Sequence, residues 1–189
     1  MPVKVQSHMH FGKWHDIEVE DDVTTYVEYA NGATGTFVTT TGDVPGTNRF
    51  EITLDGGKLV AENGKLTLWK LAEKEQAFSA HNTIPFGAPE MEQIQVDVSG
   101  DNLQHVGVLN AFAGAVLRGD KLVAGGEEGI NGLTLSNAMH LSQWLEQEIT
   151  LPLDEDVYYE ELLKRVRTSR RKENVRSVLG DTRGTYSGK

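Results

Sequence analysis

The chain has 189 residues, no cysteine and a formal net charge of −10 at pH 7. A protein of this length suits one domain that buries roughly 70% of the surface of its unfolded chain, and the absence of cysteine excludes disulfides and thiolate chemistry. The acidic balance argues against nucleic-acid binding, which normally needs a clustered basic face. Because no apolar run approaches the ~20 residues of a membrane helix and no signal pattern opens the chain, we predict a soluble, cytoplasmic protein without a membrane partner.

The first half of the sequence alternates β-branched or aromatic residues with polar ones, which is typical of antiparallel strands with one buried face. The predicted strands cover residues 2–10, 23–30, 33–41, 48–54, 58–62, 65–71 and 91–98. Asn31-Gly32 predicts a type I′ hairpin turn, because both central positions of that turn need φ > 0. Further turns are predicted at 55–57 and 63–64, whereas residues 11–16, 42–47 and 72–89 are predicted to be irregular.

The second half of the sequence has helical periodicity. Apolar residues three or four apart predict helices over 102–117, 127–147 and 154–167, and Trp144 is expected in the core. Strands followed by helices predict an α+β fold: an open, largely antiparallel β-sheet with helices packed on one face. Because the strands carry apolar and aromatic residues on both faces, we expect the other face to be used for oligomerisation, as a homo-oligomer.

The helical region ends in a basic segment. Residues 164–176 carry seven lysines and arginines against one glutamate, and the following residues offer little to bury. We therefore predict a domain over residues 1–167 and a basic polar tail over residues 168–189. Such a tail can contact an anionic ligand, but a solvated end is the simpler interpretation.

Five short motifs follow one another along residues 2–167. They are Glu20-Asp-Asp-Val with Asn31-Gly-Ala, Arg49-Phe-Glu-Ile before a Gly-Gly turn, a helix opening near His105, Glu128-Gly-Ile-Asn-Gly-Leu running into Ser136–Ser142, and Leu151-Pro-Leu-Asp. In this order they resemble the C-terminal half of the glucose-fructose oxidoreductase / inositol dehydrogenase / rhizopine catabolism (Gfo/Idh/MocA) family. The resemblance implies a parent enzyme that moves a hydride between NAD or NADP and a sugar, inositol or related polyol.

The resemblance also implies groups that this sequence lacks. Such enzymes hold the dinucleotide in an N-terminal Rossmann domain and transfer the proton through a Glu-Lys-Pro lysine and an Asp-x-x-x-His pair that precedes the sheet. Here no Gly-x-Gly-x-x-Gly follows a strand, Glu-Lys-Pro is absent, and the Asp-x-x-x-His element would precede Met1. We therefore expect a fragment with no catalytic or cofactor-binding residue, which is inactive alone and works with a Rossmann domain in cis or in trans.

The predicted substrate contacts lie around one connection. In the family, the segment before the Arg-x-Glu strand faces the substrate cleft, and here that segment is residues 41–49. Hydroxyl, amide and guanidinium groups suit a polyol, since a site built to hydrogen-bond hydroxyls rejects ligands without them. The predicted contacts are Thr47, Asn48 and Arg49, together with Trp14, which would stack on a sugar face, and His15. The alternative is that Arg49 and Glu51 form a cross-strand ion pair while Asn48 shapes the turn.

Two histidine patterns admit other interpretations. His8 and His10 share a strand face with His15 nearby, but a zinc site needs three or four ligands with supporting hydrogen bonds, so we predict no metal site. Asp101 and His105 have Asp-x-x-x-His spacing, but they follow the sheet, and we expect Asp101 to be a helix N-cap.

Three functions remain open on the sequence. The first is the substrate-binding and oligomerisation half of an NAD(P)-dependent sugar or inositol-type dehydrogenase. The second is a stand-alone, non-catalytic ligand-binding or assembly module with the same sheet. The third is a subunit that joins a separately encoded Rossmann chain.

Overall fold

The computed structural model describes residues 1–100 and 103–173. These residues form two compact units, one made of residues 1–44 and 110–173 and the other of residues 45–100 and 103–109. Each unit contains one four-stranded antiparallel sheet. The predicted α+β class is confirmed, and the strands that the sequence assigned to one open sheet are divided between two.

The first sheet has the strand order β3-β2-β1-β8, and the second has the order β4-β5-β6-β7. The strands of the first sheet are β1 (Lys4–Phe11), β2 (Glu20–Glu28), β3 (Thr34–Thr40) and β8 (Ile149–Thr150). Those of the second are β4 (Arg49–Leu54), β5 (Gly57–Glu62), β6 (Lys65–Leu71) and β7 (Met91–Val96). The helices are α1 (Glu75–His81), α2 (Gln104–Arg118), α3 (Gly129–Leu145) and α4 (Glu155–Thr168), with a 3-10 turn at Gly126–Glu128.

The core of the first unit lies between its sheet and α3. Every second residue of β1 and β2 is buried, including Val5, Met9, Val23 and Val27, which is the period-2 pattern of a sheet with one packed face. These side chains meet Ala138, Met139 and Leu141 of α3. The opposite face of β1 and β2 is exposed, so α3 covers one face of this sheet.

Side chains of α3 also satisfy the free edge of β1. β8 pairs with β1 only at Lys4 and Val5, which leaves the rest of that edge without a strand partner. There the Ser7 amide donates to Ser142 Oγ at 2.9 Å and the Met9 amide donates to Gln143 Oε1 at 2.6 Å. Because a buried amide without a partner is costly, these two bonds fix the position of α3 along β1.

The hairpin turns differ from the prediction at one place. Asn31 does not have positive φ, so the predicted type I′ turn at Asn31-Gly32 is wrong. Instead the Gly32 amide donates to the Tyr29 carbonyl and Tyr29 N to the Ala33 carbonyl, both at 2.9 Å, with Gly32 left-handed at φ 83°. This is the three-residue type of hairpin loop, and Asn31 Oδ1 stabilises it by accepting the Ala33 amide at 3.1 Å.

The helix termini follow the sequence only in part. Asp154 is the N-cap of α4 and accepts the Val157 amide at 3.1 Å. Glu127 and Glu128, expected at the start of a helix, lie instead in the 3-10 turn before α3.

Two elements were not predicted from the sequence. Helix α1 lies in the segment predicted to be irregular, and strand β8 was not predicted. No helix within residues 1–100 and 103–173 is long and apolar enough to span a membrane.

Candidate functional site

A β-bulge between β1 and β2 determines the directions of three acidic side chains at one end of the first sheet. His10 pairs with Asp22 but Phe11 pairs with Glu20, so Asp21 is an extra residue in β2. A bulge changes the direction of neighbouring side chains. Here the three consecutive carboxylates separate: Glu20 contacts α3, Asp21 contacts the backbone of residues 13–15, and Asp22 contacts Lys13 and His10.

Asp21 organises the loop that follows β1. Its buried carboxylate accepts the amides of Lys13, Trp14 and His15 at 3.0, 2.7 and 3.0 Å. Burial opposes the charged form of Asp21, but these hydrogen bonds outweigh it and the pKa of the carboxyl is lowered. The loop is thus held by an ionised side chain, and the side chains of Trp14 and His15 project from a fixed backbone.

This loop meets the start of the predicted substrate-binding connection. His15 Nδ1 lies 3.0 Å from Thr41 Oγ1 and 3.5 Å from Asp21 Oδ2. The Trp14 indole stands directly against Gly42, where a Cβ atom would collide with the ring. Trp14 and His15 therefore lie beside Thr41 and Gly42. About half of the Trp14 surface is exposed, so a ligand could contact the ring there.

The other predicted contacts belong to the second unit. Arg49 Nη1 donates to Glu62 Oε2 at 2.9 Å, and Arg49 Nε donates to Glu51 Oε2 at 3.2 Å. The hydrogen bond to Glu51 is the main cause of the raised pKa of Arg49. The ion pair of Arg49 with Glu51 is therefore present, but it was expected across strands and instead lies within β4, because both residues belong to that strand. The cross-strand partner of Arg49 is Glu62 of β5. A role for Thr47, Asn48, Arg49, Trp14 and His15 in binding substrate stays a prediction.

A groove in the first unit, not expected from the sequence, lies between the end of β1, α3 and α4. Its volume is about 560 Å³. It is lined by Phe11, Glu18, Val19, Glu20, His140, Gln143, Trp144, Glu146, Tyr158, Leu162 and Arg165. Because these residues come from four separate parts of the chain, no local motif could have predicted the groove.

Aromatic and cationic groups pack together in the groove wall. The rings of Trp144 and Tyr158 stack with their centroids 5.5 Å apart and an interplanar angle of 18°. The guanidinium carbon of Arg165 lies 4.1 Å from the centroid of the Trp144 ring, a cation–π contact. Trp144, expected in the core, is half-buried and joins α3 to α4.

The charged groups around the groove are largely paired. His140 Nε2 lies 3.0 Å from Glu20 Oε2, and Arg165 Nη1 donates to Glu161 Oε2 at 2.8 Å. Glu18 accepts the Ser169 hydroxyl and the Arg170 amide, which are the main causes of its lowered pKa. The first residues of the predicted tail are therefore held against the loop before β2, and residues 174–189 of that tail lie outside the described residues.

The histidine patterns give no metal site among the residues that the structure describes. Within residues 1–100 and 103–173, no three His, Asp or Glu side chains are grouped so that they could hold a metal ion. His8 and His10 lie on the exposed face of β1, and His10 Nδ1 is 3.9 Å from Asp22 Oδ1. Asp101, expected to be an N-cap, lies outside the described residues.

No protein-family model and no curated protein matches the sequence. Solved structures do match. The aldose-aldose oxidoreductase from Caulobacter crescentus, complexed with glycerol, aligns over 79% of this chain with a TM-score of 0.57 and 16% identity. A levoglucosan dehydrogenase, in complex with NADH and levoglucosan, aligns over 80% with a TM-score of 0.59 and 16% identity. The WlbA dehydrogenase from Chromobacterium violaceum, with NADH and UDP-GlcNAcA, aligns over 81% with a TM-score of 0.54 and 23% identity.

The chain has the fold of Gfo/Idh/MocA-type oxidoreductases. The resemblance that the sequence motifs indicated is thus confirmed at the level of fold. The chain spans less than half the length of the proteins that it matches, namely 41%, 45% and 41% of the three named above.

Proposed function

We propose that this chain is the substrate-binding and oligomerisation half of an NAD(P)-dependent dehydrogenase for a sugar, inositol or related polyol, and that it is inactive alone. One observation carries the proposal: about 80% of the chain aligns with 41–45% of dehydrogenases and oxidoreductases that were solved with sugars, glycerol or NADH. The remaining part of the enzyme, a Rossmann domain in cis or in trans, would hold the dinucleotide in the cytoplasm.

The described residues do not fit a dinucleotide. NAD or NADP, when bound, accepts or donates the hydride, and its pyrophosphate needs a glycine-rich turn between a strand and a helix. Gly32 and Gly35 have a similar spacing, but they lie in the hairpin between β2 and β3. We therefore assign no step of hydride transfer to residues of this chain.

The loop held by Asp21 supports the substrate-binding part of the proposal. Three backbone hydrogen bonds fix residues 13–15, so Trp14 and His15 can meet a ligand without an ordering cost. An exposed indole suits the C–H face of a sugar ring, and an imidazole suits a hydroxyl. Thr47, Asn48 and Arg49 follow Gly42 closely in sequence and would add polar contacts.

The exposed face of the first sheet supports the oligomerisation part. On this face Gln6 pairs with Tyr26 and His8 with Thr24, while Val38 lies beside Thr24. Tyr26 and Val38 are 44% and 65% exposed. Apolar side chains on the open face of a sheet are typical of a surface that is covered in an assembly, so we propose a homo-oligomer through this face.

Titration of the purified chain with myo-inositol and simple aldoses, followed by amide NMR, tests the binding role. We expect shifts at Trp14 and His15, weaker binding by Trp14→Ala, and little change by Trp69→Phe, which lies in β6 of the second unit.

Two further measurements test the inactive state and the assembly. Incubating the chain with NAD or NADP and the same polyols should produce no NADH or NADPH, and light scattering should show an oligomer. Turnover by the chain alone would refute the proposal of an inactive half, and a monomer would refute the assembly.

A further inference from the structure

We propose that the groove between α3, α4 and the end of β1 binds a neutral, hydroxylated small molecule that carries an apolar ring face. The groove lies within the first unit, and its occupant is inferred from the groove's own charges, open hydrogen-bonding groups and walls. The lining of the groove does not include the residues assigned above to substrate, namely Trp14, His15 and Thr47–Arg49.

The pairing of charges argues for a neutral occupant. Glu20 is paired with His140, Arg165 with Glu161, and Glu18 with the residues that follow α4. An anionic ligand would have to replace one of these contacts to be neutralised, and the displaced partner would then need another. Glu146 also lines the groove and has no ion-pair partner within residues 1–100 and 103–173, but its side chain is exposed to solvent. A neutral ligand leaves all three in place.

The hydrogen-bonding groups that remain open are mostly uncharged. Gln143 uses its Oε1 to accept the Met9 amide, which leaves its NH₂ group as a donor. The Tyr158 hydroxyl and the Trp144 indole N–H have no hydrogen-bond partner within residues 1–100 and 103–173. Glu146, at the end of α3, is exposed to solvent and offers a carboxylate acceptor at the rim. Donors and acceptors interspersed in this way suit several hydroxyl groups.

The walls and size of the groove favour a ring. Phe11 and Val19 are 39% and 58% exposed, and both line the groove together with Leu162. Such hydrocarbon surface can cover the apolar face of a ring, while the polar groups above meet its substituents. A volume of about 560 Å³ lies in the range of small-molecule sites, roughly 300–1,000 Å³.

The test titrates the full chain with phenyl β-D-glucopyranoside and, as a charged comparator with the same aromatic ring, phenyl phosphate. Amide and indole NMR signals report the site, since Trp144 and Gln143 lie in its wall. We expect saturable shifts of the Trp144 indole and of residues in α4 with the glucoside only. Tyr158→Phe removes one hydroxyl and should weaken binding by roughly 3- to 10-fold. Tyr159→Phe is the matched control, because Tyr159 is the exposed neighbour and does not line the groove.

A second variant tests the site without altering its polar groups. Val19→Trp enlarges an exposed side chain at the mouth of the groove, so it should abolish the glucoside shifts while the rest of the spectrum stays unchanged. Three results would each overturn the proposal: no saturable shift in groove residues, equal affinity of the wild type and Tyr158→Phe, or binding of phenyl phosphate as tight as that of the glucoside.

Discussion

His140 Nε2 lies 3.0 Å from Glu20 Oε2, while His140 Nδ1 lies 2.8 Å from the Ser136 carbonyl oxygen. Both partners accept hydrogen bonds when Glu20 is ionised, and a neutral imidazole carries only one N–H. The ring therefore lies within hydrogen-bonding distance of two acceptors, one on its own helix and one on β2. The pair links α3 to the bulge in β2 across 120 residues of sequence.

This pair makes stability depend on pH through Glu20. Burial opposes the charged form of Glu20, yet the hydrogen bond from His140 outweighs it and lowers the pKa of the carboxyl below the ordinary value of 4.5. A lowered pKa in the folded state means that the stabilisation is present above pH 4.5 and is lost as the pH falls through the folded value. We expect Glu20→Gln to lower the free energy of unfolding near neutral pH by less than ~1 kcal/mol and to lower it much less in acid.

Urea unfolding of both proteins over this pH range measures the effect. Glu146→Gln is the control, since Glu146 is exposed and has no ion-pair partner within residues 1–100 and 103–173. A constant difference between wild type and Glu20→Gln at all pH values would contradict the proposed linkage.

Asp21→Asn should loosen the loop that carries Trp14 and His15. An asparagine has one acceptor oxygen in place of two, and its NH₂ group would face backbone amides that also donate. We expect faster hydrogen exchange at the amides of Lys13, Trp14 and His15. Because the folded pKa of Asp21 is lowered, the stabilisation of the wild-type loop should be present above pH 3.8 and be lost only as the pH falls below that value.

The neighbouring carboxylate provides the control for this experiment. Asp22 accepts from the side chains of Lys13 and Trp14, whereas the three amides donate to Asp21, so Asp22→Asn should leave their exchange rates unchanged. If Asp22→Asn loosened the loop as much as Asp21→Asn does, the loop would depend on net charge and not on the three hydrogen bonds.

Ser142→Ala should destabilise the first unit. Ser142 is 1% exposed; its hydroxyl accepts the Ser7 amide at 2.9 Å and donates to the Gln147 carbonyl at 2.7 Å. The alanine leaves a buried amide at the free edge of β1 without its acceptor, which costs about 1–3 kcal/mol. Chemical denaturation measures the loss. Ser136→Ala, on an exposed turn of the same helix, should change stability by less than ~0.5 kcal/mol, and an equal loss there would contradict this account.

The sequence predicts the regular parts of this fold and misses what depends on distant contacts. Alternation in residues 2–10 and 23–30 predicts which side chains of β1 and β2 are buried, because the period of a strand is local. The apolar spacing over residues 154–167 predicts α4 within one residue of its observed bounds for the same reason. The dipeptide Asn31-Gly32 led to the wrong turn type. It predicts a two-residue type I′ turn, but Tyr29 and Ala33 pair across a loop of three residues.

The candidate site likewise combines residues that the sequence identifies with long-range contacts that it does not predict. Trp14 and His15 are singled out by residue type, but the bulge that places Asp21 beneath them depends on the register between two strands, which alternation alone does not specify. The groove requires His140 and Glu20 to meet, and their separation of 120 residues gives no local pattern. Only the tertiary fold reveals it.

Gly42→Ala should displace the indole of Trp14. A Cβ atom at position 42 would overlap the ring, and the neighbouring backbone of residues 13–15 is held by Asp21, so the side chain of Trp14 must rotate away. We expect a shift of the Trp14 indole NMR signal and, if Trp14 contacts the polyol, a several-fold weaker affinity for it. Gly56→Ala is the matched control, because a Cβ at Gly56 meets nothing within 4 Å. A changed indole signal with unchanged polyol affinity would remove Trp14 from the substrate site and leave the connection at Thr47–Arg49 as the remaining prediction.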